Sequence, residues 1–64
     1  MHIMSEIGQY IKRVRRLLGI TQAELAKKLG KKRDNIAKYE TNKAIPPGNV
    51  LLEIQKMDPR RKIR

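Results

Sequence analysis

At 64 residues the chain holds one small domain, whose core is marginal and must be compact, helped by dimerisation or by a further segment. It has no cysteine and a single histidine, His2, so disulfides, thiolate metal sites and histidine zinc clusters are excluded. The formal net charge of +10, from 16 Lys+Arg against 6 Asp+Glu, marks a surface that attracts polyanions and says nothing about fold.

From Met4 the apolar residues run Met4, Ile7, Ile11, Val14, Leu18, in steps of three and four, which is a helix stripe. Ser5 suits the start and Gly19 the stop, so a first helix is expected over 5–18, with Lys12, Arg13 and Arg16 on its solvated face. The run Thr21-Gln22-Ala23-Glu24 has the spacing of a capping box, in which Thr21 and Glu24 each bond the other's amide. It opens a second helix over 22–29 that buries Leu25, Ala26 and Leu29 and ends at Gly30 in a left-handed conformation. A third helix starts at Lys32 or Arg33, turns Ile36 and Tyr39 inward, and leaves through Asn42, a residue that tolerates the left-handed exit. A loop over 42–48, stiffened by Pro46 and Pro47, leads to a fourth helix over 47–57 with Val50, Leu51, Ile54 and Met57 as its stripe. Asp58-Pro59 ends it, and 58–64 reads as a basic tail without a core signal. The fold class is therefore all-α, a compact bundle of short helices, with the domain at 5–57.

The informative stretch is Gln22–Tyr39, two short helices joined by one tight turn. Ala26 is small where the helices pass closely, Gly30 sits in the turn where a side chain would clash or strain the backbone, and Ile36 packs into the angle between the helices. This pattern holds the second helix of the pair proud of the body, able to enter a major groove.

The residues Gly19-Ile20-Thr21-Gln22-Ala23-Glu24-Leu25-Ala26, then Leu29-Gly30, Ile36, Tyr39-Glu40 and Pro46, resemble the phage repressor and Cro family of helix-turn-helix DNA-binding proteins, from about Ile7 to Met57. The resemblance implies a lambda-repressor-like bundle of four helices, or five where the family's last helix is present. It implies that Arg33, Asp34 and Lys38 face base edges. Arg33 suits a bidentate pair with guanine; Asp34 suits a cytosine amine, or holds Arg33 or Lys38 in place; Lys38 reaches a base or a phosphate. It implies phosphate contacts from Gln22, at the positive end of its helix, and from Lys31, Lys32, Asn35 and Lys43. It also implies a buried ion pair, Arg15 with Glu40, tying the first helix to the end of the third.

The chain departs from the family at three places. Lys32 stands where Ser or Thr often caps the third helix, Asn42 replaces the usual glycine, and only Met57–Arg64, with Pro59 inside it, stands where a fifth helix normally builds the dimer interface. Leu52 lies off the main stripe of the fourth helix, as an exposed apolar contact or as the edge of the core.

The expected function is sequence-specific binding of double-stranded DNA by a two-fold dimer, as a transcription regulator of the repressor kind. An antitoxin-like or coactivator-like module that holds another protein is the alternative. General coating of single strands is disfavoured, since Tyr10 and Tyr39 are the only aromatics and stacking platforms are missing. Catalysis lacks its ingredients: no cysteine, no usable histidine and no carboxylate pair on one face, so no enzyme, cofactor or metal is expected. No apolar run approaches the ~20 residues of a membrane span and no secretory signal is visible, which points to the cytoplasm.

Overall fold

The computed structural model describes residues 3–61, with side chains from Glu6 onward. Four helices follow one another: α1 (Ile3–Leu18), α2 (Gln22–Leu29), α3 (Arg33–Glu40) and α4 (Gly48–Met57). No helix among these residues is long and apolar enough to cross a membrane.

Local chemistry fixes most of the boundaries. At the start of α2 the Thr21 hydroxyl accepts from the Glu24 amide at 3.1 Å, and the Glu24 carboxylate accepts from the Thr21 amide at 2.8 Å. The capping box is thus closed on both sides. The first three helices end alike, each with a left-handed residue whose amide and its successor's amide turn back onto the last carbonyls. After α1, Gly19 and Ile20 donate to Arg16 and Arg15; after α2, Gly30 and Lys31 donate to Lys27 and Ala26; after α3, Asn42 and Lys43 donate to Tyr39 and Lys38. Gly30 has φ 69° and open space where a Cβ would stand. Its glycine is therefore required by backbone conformation, and the expected side-chain clash plays no part.

Two helix starts differ from the sequence expectation. The helical backbone of α1 already begins at Ile3, so Ser5 lies inside the helix and not at its start. Pro47 precedes α4 as its cap residue, with ψ 156°, and helical geometry begins at Gly48. Proline has no amide to leave unsatisfied at that position.

The core joins Ile11 and Val14 of α1, Leu25 and Ala26 of α2, Ile36 and Tyr39 of α3, and Val50 and Ile54 of α4. Ile7, Tyr10, Leu18, Ile20, Leu29, Ala44 and Met57 pack around it. Ile36 is fully buried at the angle between α2 and α3. Truncating such a residue to alanine removes ~2–5 kcal/mol. A chain of this length has about 3–10 kcal/mol in all, so one cavity there threatens the fold. Leu52, left open between two readings by the sequence, is exposed.

Two contacts escaped the sequence reading. Gly8 of α1 is buried against the foot of α3; a Cβ there would stand 2.7 Å from the Asn42 side-chain oxygen and 2.9 Å from the carbonyls of Glu40 and Tyr39. The stretch read as a basic tail opens with a buried residue. Asp58 accepts a hydrogen bond from the Tyr10 hydroxyl at 2.9 Å, and its other oxygen accepts from the Arg60 amide at 2.9 Å. The Arg60 guanidinium closes the clasp at 3.1 Å.

Candidate nucleic-acid interface

Helix α3 has two unlike sides. Ile36, Tyr39 and Glu40 are buried on one, while Arg33, Asp34 and Lys38 are exposed on the other. The spacing explains this, because positions one turn apart share a face and Ile36 and Tyr39 are drawn into the core. The outward residues are loosely held. The Arg33 guanidinium lies 3.8 Å from the Asp34 carboxylate, with the two side chains 62% and 84% exposed. An ion pair this open contributes little to stability. Both groups therefore keep their polar atoms available to a ligand.

The entrance to α3 is positive. Lys32 occupies the cap position and makes no side-chain cap hydrogen bond, so the first amides of the helix stay open. Lys32 is exposed and Lys31 half-buried beside it. Asn35 is half-buried on the flank of the helix. Lys43 is exposed in the loop beyond α3, with its amide anchored on the Lys38 carbonyl at 2.8 Å. Arg33, Asp34 and Lys38 thus form an outward group on α3 and Lys31, Lys32 and Lys43 a basic rim at its two ends, with Asn35 on the flank.

A buried polar knot holds α3 to the rest of the chain. Arg15 of α1 donates to both oxygens of Glu40, from Nε at 2.7 Å and from Nη2 at 3.3 Å. Its Nη1 donates to the Ile20 carbonyl at 3.0 Å, in the turn before α2. Glu40 is the more enclosed partner, with its side chain 3% exposed against 16% for Arg15. Gln22, at the first position of α2, joins the knot by donating from its amide to Glu40 at 3.1 Å. Its amide has a second hydrogen, unused by the described residues and available to an external acceptor. One carboxylate therefore gathers α1, the α1–α2 turn, the start of α2 and the end of α3.

The Asp58 clasp stands apart from this surface. Arg60, by hydrogen bonds from its side chain and its amide, holds the Asp58 carboxyl down at about 2. Burial, with the Asp58 bond behind it, raises the Tyr10 hydroxyl above its ordinary value.

Gly8 is the residue of this site that the sequence reading passed over. The signal for it is a glycine in the middle of a strong helical stripe, where glycine costs helix stability and so needs a packing reason. The Gln22–Glu40 bond also went unread, because the resemblance assigned the Gln22 side chain to a phosphate.

A helix-turn-helix family model matches residues 11–57. The chain is similar to endothelial differentiation-related factor 1 of Rattus norvegicus, at 43% identity over 51 residues, covering 80% of this chain and 34% of that protein. It is similar to the homologous factor of Danio rerio at 41% over 51 residues, and of Xenopus laevis at 40% over 52 residues. These cover 80% and 81% of this chain and 35% of each relative, so the chain spans about a third of the length of the curated relatives it matches. No solved structure matches at a significant level. With its paired helices α2 and α3 and the family match across 11–57, the chain belongs to the Cro and repressor type of helix-turn-helix DNA-binding family.

Proposed function

We propose that the chain binds double-stranded DNA sequence-specifically and regulates transcription, as a repressor that occupies an operator without chemistry. The observation that carries this reading is the exposed polar side of α3, with Arg33, Asp34 and Lys38 outward and the opposite side tied into the core. In this reading α3 enters the major groove, Arg33 pairs with guanine, Lys38 reaches a base or phosphate, and Asp34 accepts from cytosine or orients Arg33. Gln22, Lys31, Lys32, Asn35 and Lys43 take the flanking phosphates. The dimer reads two half-sites about 34 Å apart, one turn of the duplex. The cytoplasm is the setting, and no cofactor takes part.

Selection from a random duplex library tests it. A palindromic consensus is expected, and Arg33→Ala with Lys38→Ala is expected to relax or shift that consensus. Equal enrichment of all duplexes, or an unchanged consensus in the double variant, overturns it. The second reading, an antitoxin-like or coactivator-like protein-binding module, draws support from a separate surface on α1.

A further inference from the structure

The outer side of α1 carries Gln9, Lys12, Arg13, Arg16 and Leu17, which line one shallow groove. Their spacing is three, four, seven and eight residues from Gln9, one stripe of the helix about 12 Å long. Arg15 points the other way, to Glu40. Lys12, Arg13 and Arg16 are all exposed, and among the described residues none is in an ion pair.

The acids of this chain lie elsewhere. Glu24 closes its capping box, Asp34 lies by Arg33, Glu40 holds Arg15, Glu53 lies 3.7 Å from Lys56, and Asp58 binds Arg60. The sixth, Glu6, lines a different groove, with Ile7 and Tyr10 of α1 and Leu51 and Gln55 of α4. Three cations within one turn repel one another and weaken the helix that bears them. The described part of the fold supplies no acid to offset this.

We propose that this stripe docks an acidic segment of another protein, which sets carboxylates against Lys12, Arg13 and Arg16 and one apolar side chain on Leu17. Leu17 decides the class of partner. It is 49% exposed and shares the groove with the two guanidiniums. A phosphodiester backbone offers a leucine only the edges of its sugars between charged phosphates, whereas a peptide side chain covers leucine while neighbouring carboxylates meet the cations. Arginine forks match carboxylates in pairs, and arginine is enriched where protein surfaces meet. The Gln9 amide offers a donor and an acceptor to the backbone of such a segment. The inference stands independently of the DNA-binding proposal.

The test uses the full chain at physiological salt, where charges beyond about 8 Å are screened. Three fluorescent probes are titrated by anisotropy: an Asp/Glu-rich peptide with one leucine, the same peptide with serine in its place, and a short duplex. The combined variant Lys12→Gln, Arg13→Gln, Arg16→Gln is expected to bind the leucine peptide at least about tenfold more weakly and the duplex within about threefold of the parent. Arg33→Ala with Lys38→Ala is expected to leave the leucine peptide within about threefold of the parent, and a tenfold loss there overturns the assignment to α1. Leu17→Ser is expected to weaken the leucine peptide and leave the serine peptide unchanged. The proposal is overturned if the two peptides bind the parent equally, if neither binds, or if the glutamine variant loses the duplex as much as the peptide. In that last case α1 belongs to the nucleic-acid interface. Should the glutamine variant fail to fold, the Leu17→Ser comparison decides alone.

Discussion

Removing the Glu40 carboxylate leaves the Arg15 guanidinium largely buried with only a backbone carbonyl for company, and frees the Gln22 amide as well. Breaking one side of such a pair costs ~3–5 kcal/mol. In a domain this small each kcal/mol moves the melting temperature by about 4–8 °C. Glu40→Ala is therefore expected to lower the melt by well over ten degrees, on the order of what that conversion gives, and a melt within a degree of the parent overturns the role. Gly8→Ala gains about 1 kcal/mol of helix propensity. It also drives a methyl into two backbone carbonyls at 2.9 Å, which α1 and α3 can relieve only by moving apart. Overpacking costs ~1–3 kcal/mol, so the variant is expected to unfold at lower urea; a higher midpoint contradicts the close approach. Asp58 gives a pH dependence. Its carboxyl sits at about 2 when folded against 3.8 ordinarily, so its contribution is complete above 3.8 and is lost as the pH falls through that window to about 2. Asp58→Asn is expected to flatten the fall of melting temperature between those values, and an unchanged slope shows that the clasp does not couple to folding.

The helices α2 and α3 pack against each other, but their starts are unequally secured. Thr21 and Glu24 cap α2 on both sides, whereas Lys32 leaves α3 without a side-chain cap. Lys32→Ser is expected to stabilise the fold by about 0.5–1 kcal/mol in thermal melts, since a serine hydroxyl can accept from the open amides. The same change is expected to weaken duplex binding at fixed salt if Lys32 meets a phosphate. A stability gain with undiminished affinity removes Lys32 from the interface. The contrast also shows what a sequence reveals. The limits of α2 and the left-handed exits at Gly30 and Asn42 were legible because caps and turns are written in neighbouring residues. The inward side of α3 was legible from Ile36 and Tyr39, and its outward residues Arg33, Asp34 and Lys38 from the family resemblance. The first turn of α1 was misplaced because Ser5, a residue type that favours caps, lies two residues inside the helix. Gly8 against Asn42, and Tyr10 with Asp58, were illegible because residues 34 and 48 positions apart meet only after the bundle has closed.

For the molecule as a whole, the charge of +10 makes salt the first variable of any binding experiment. If about five phosphates are neutralised per subunit, log affinity falls against log salt with a slope of about −4 to −5. A slope near zero rules out a backbone-gripping rim of Lys31, Lys32 and Lys43. On the proposed reading, the stability of the chain and the identity of its ligand reside in different atoms. Glu40, Ile36 and Tyr39 fix where α3 lies, and Arg33, Asp34 and Lys38 touch almost nothing of the fold. On the proposed DNA-binding reading, the outward edge of α3 is an interchangeable reading head. Side chains there contribute little to the scaffold, so on that reading single substitutions alter the target at small cost to folding.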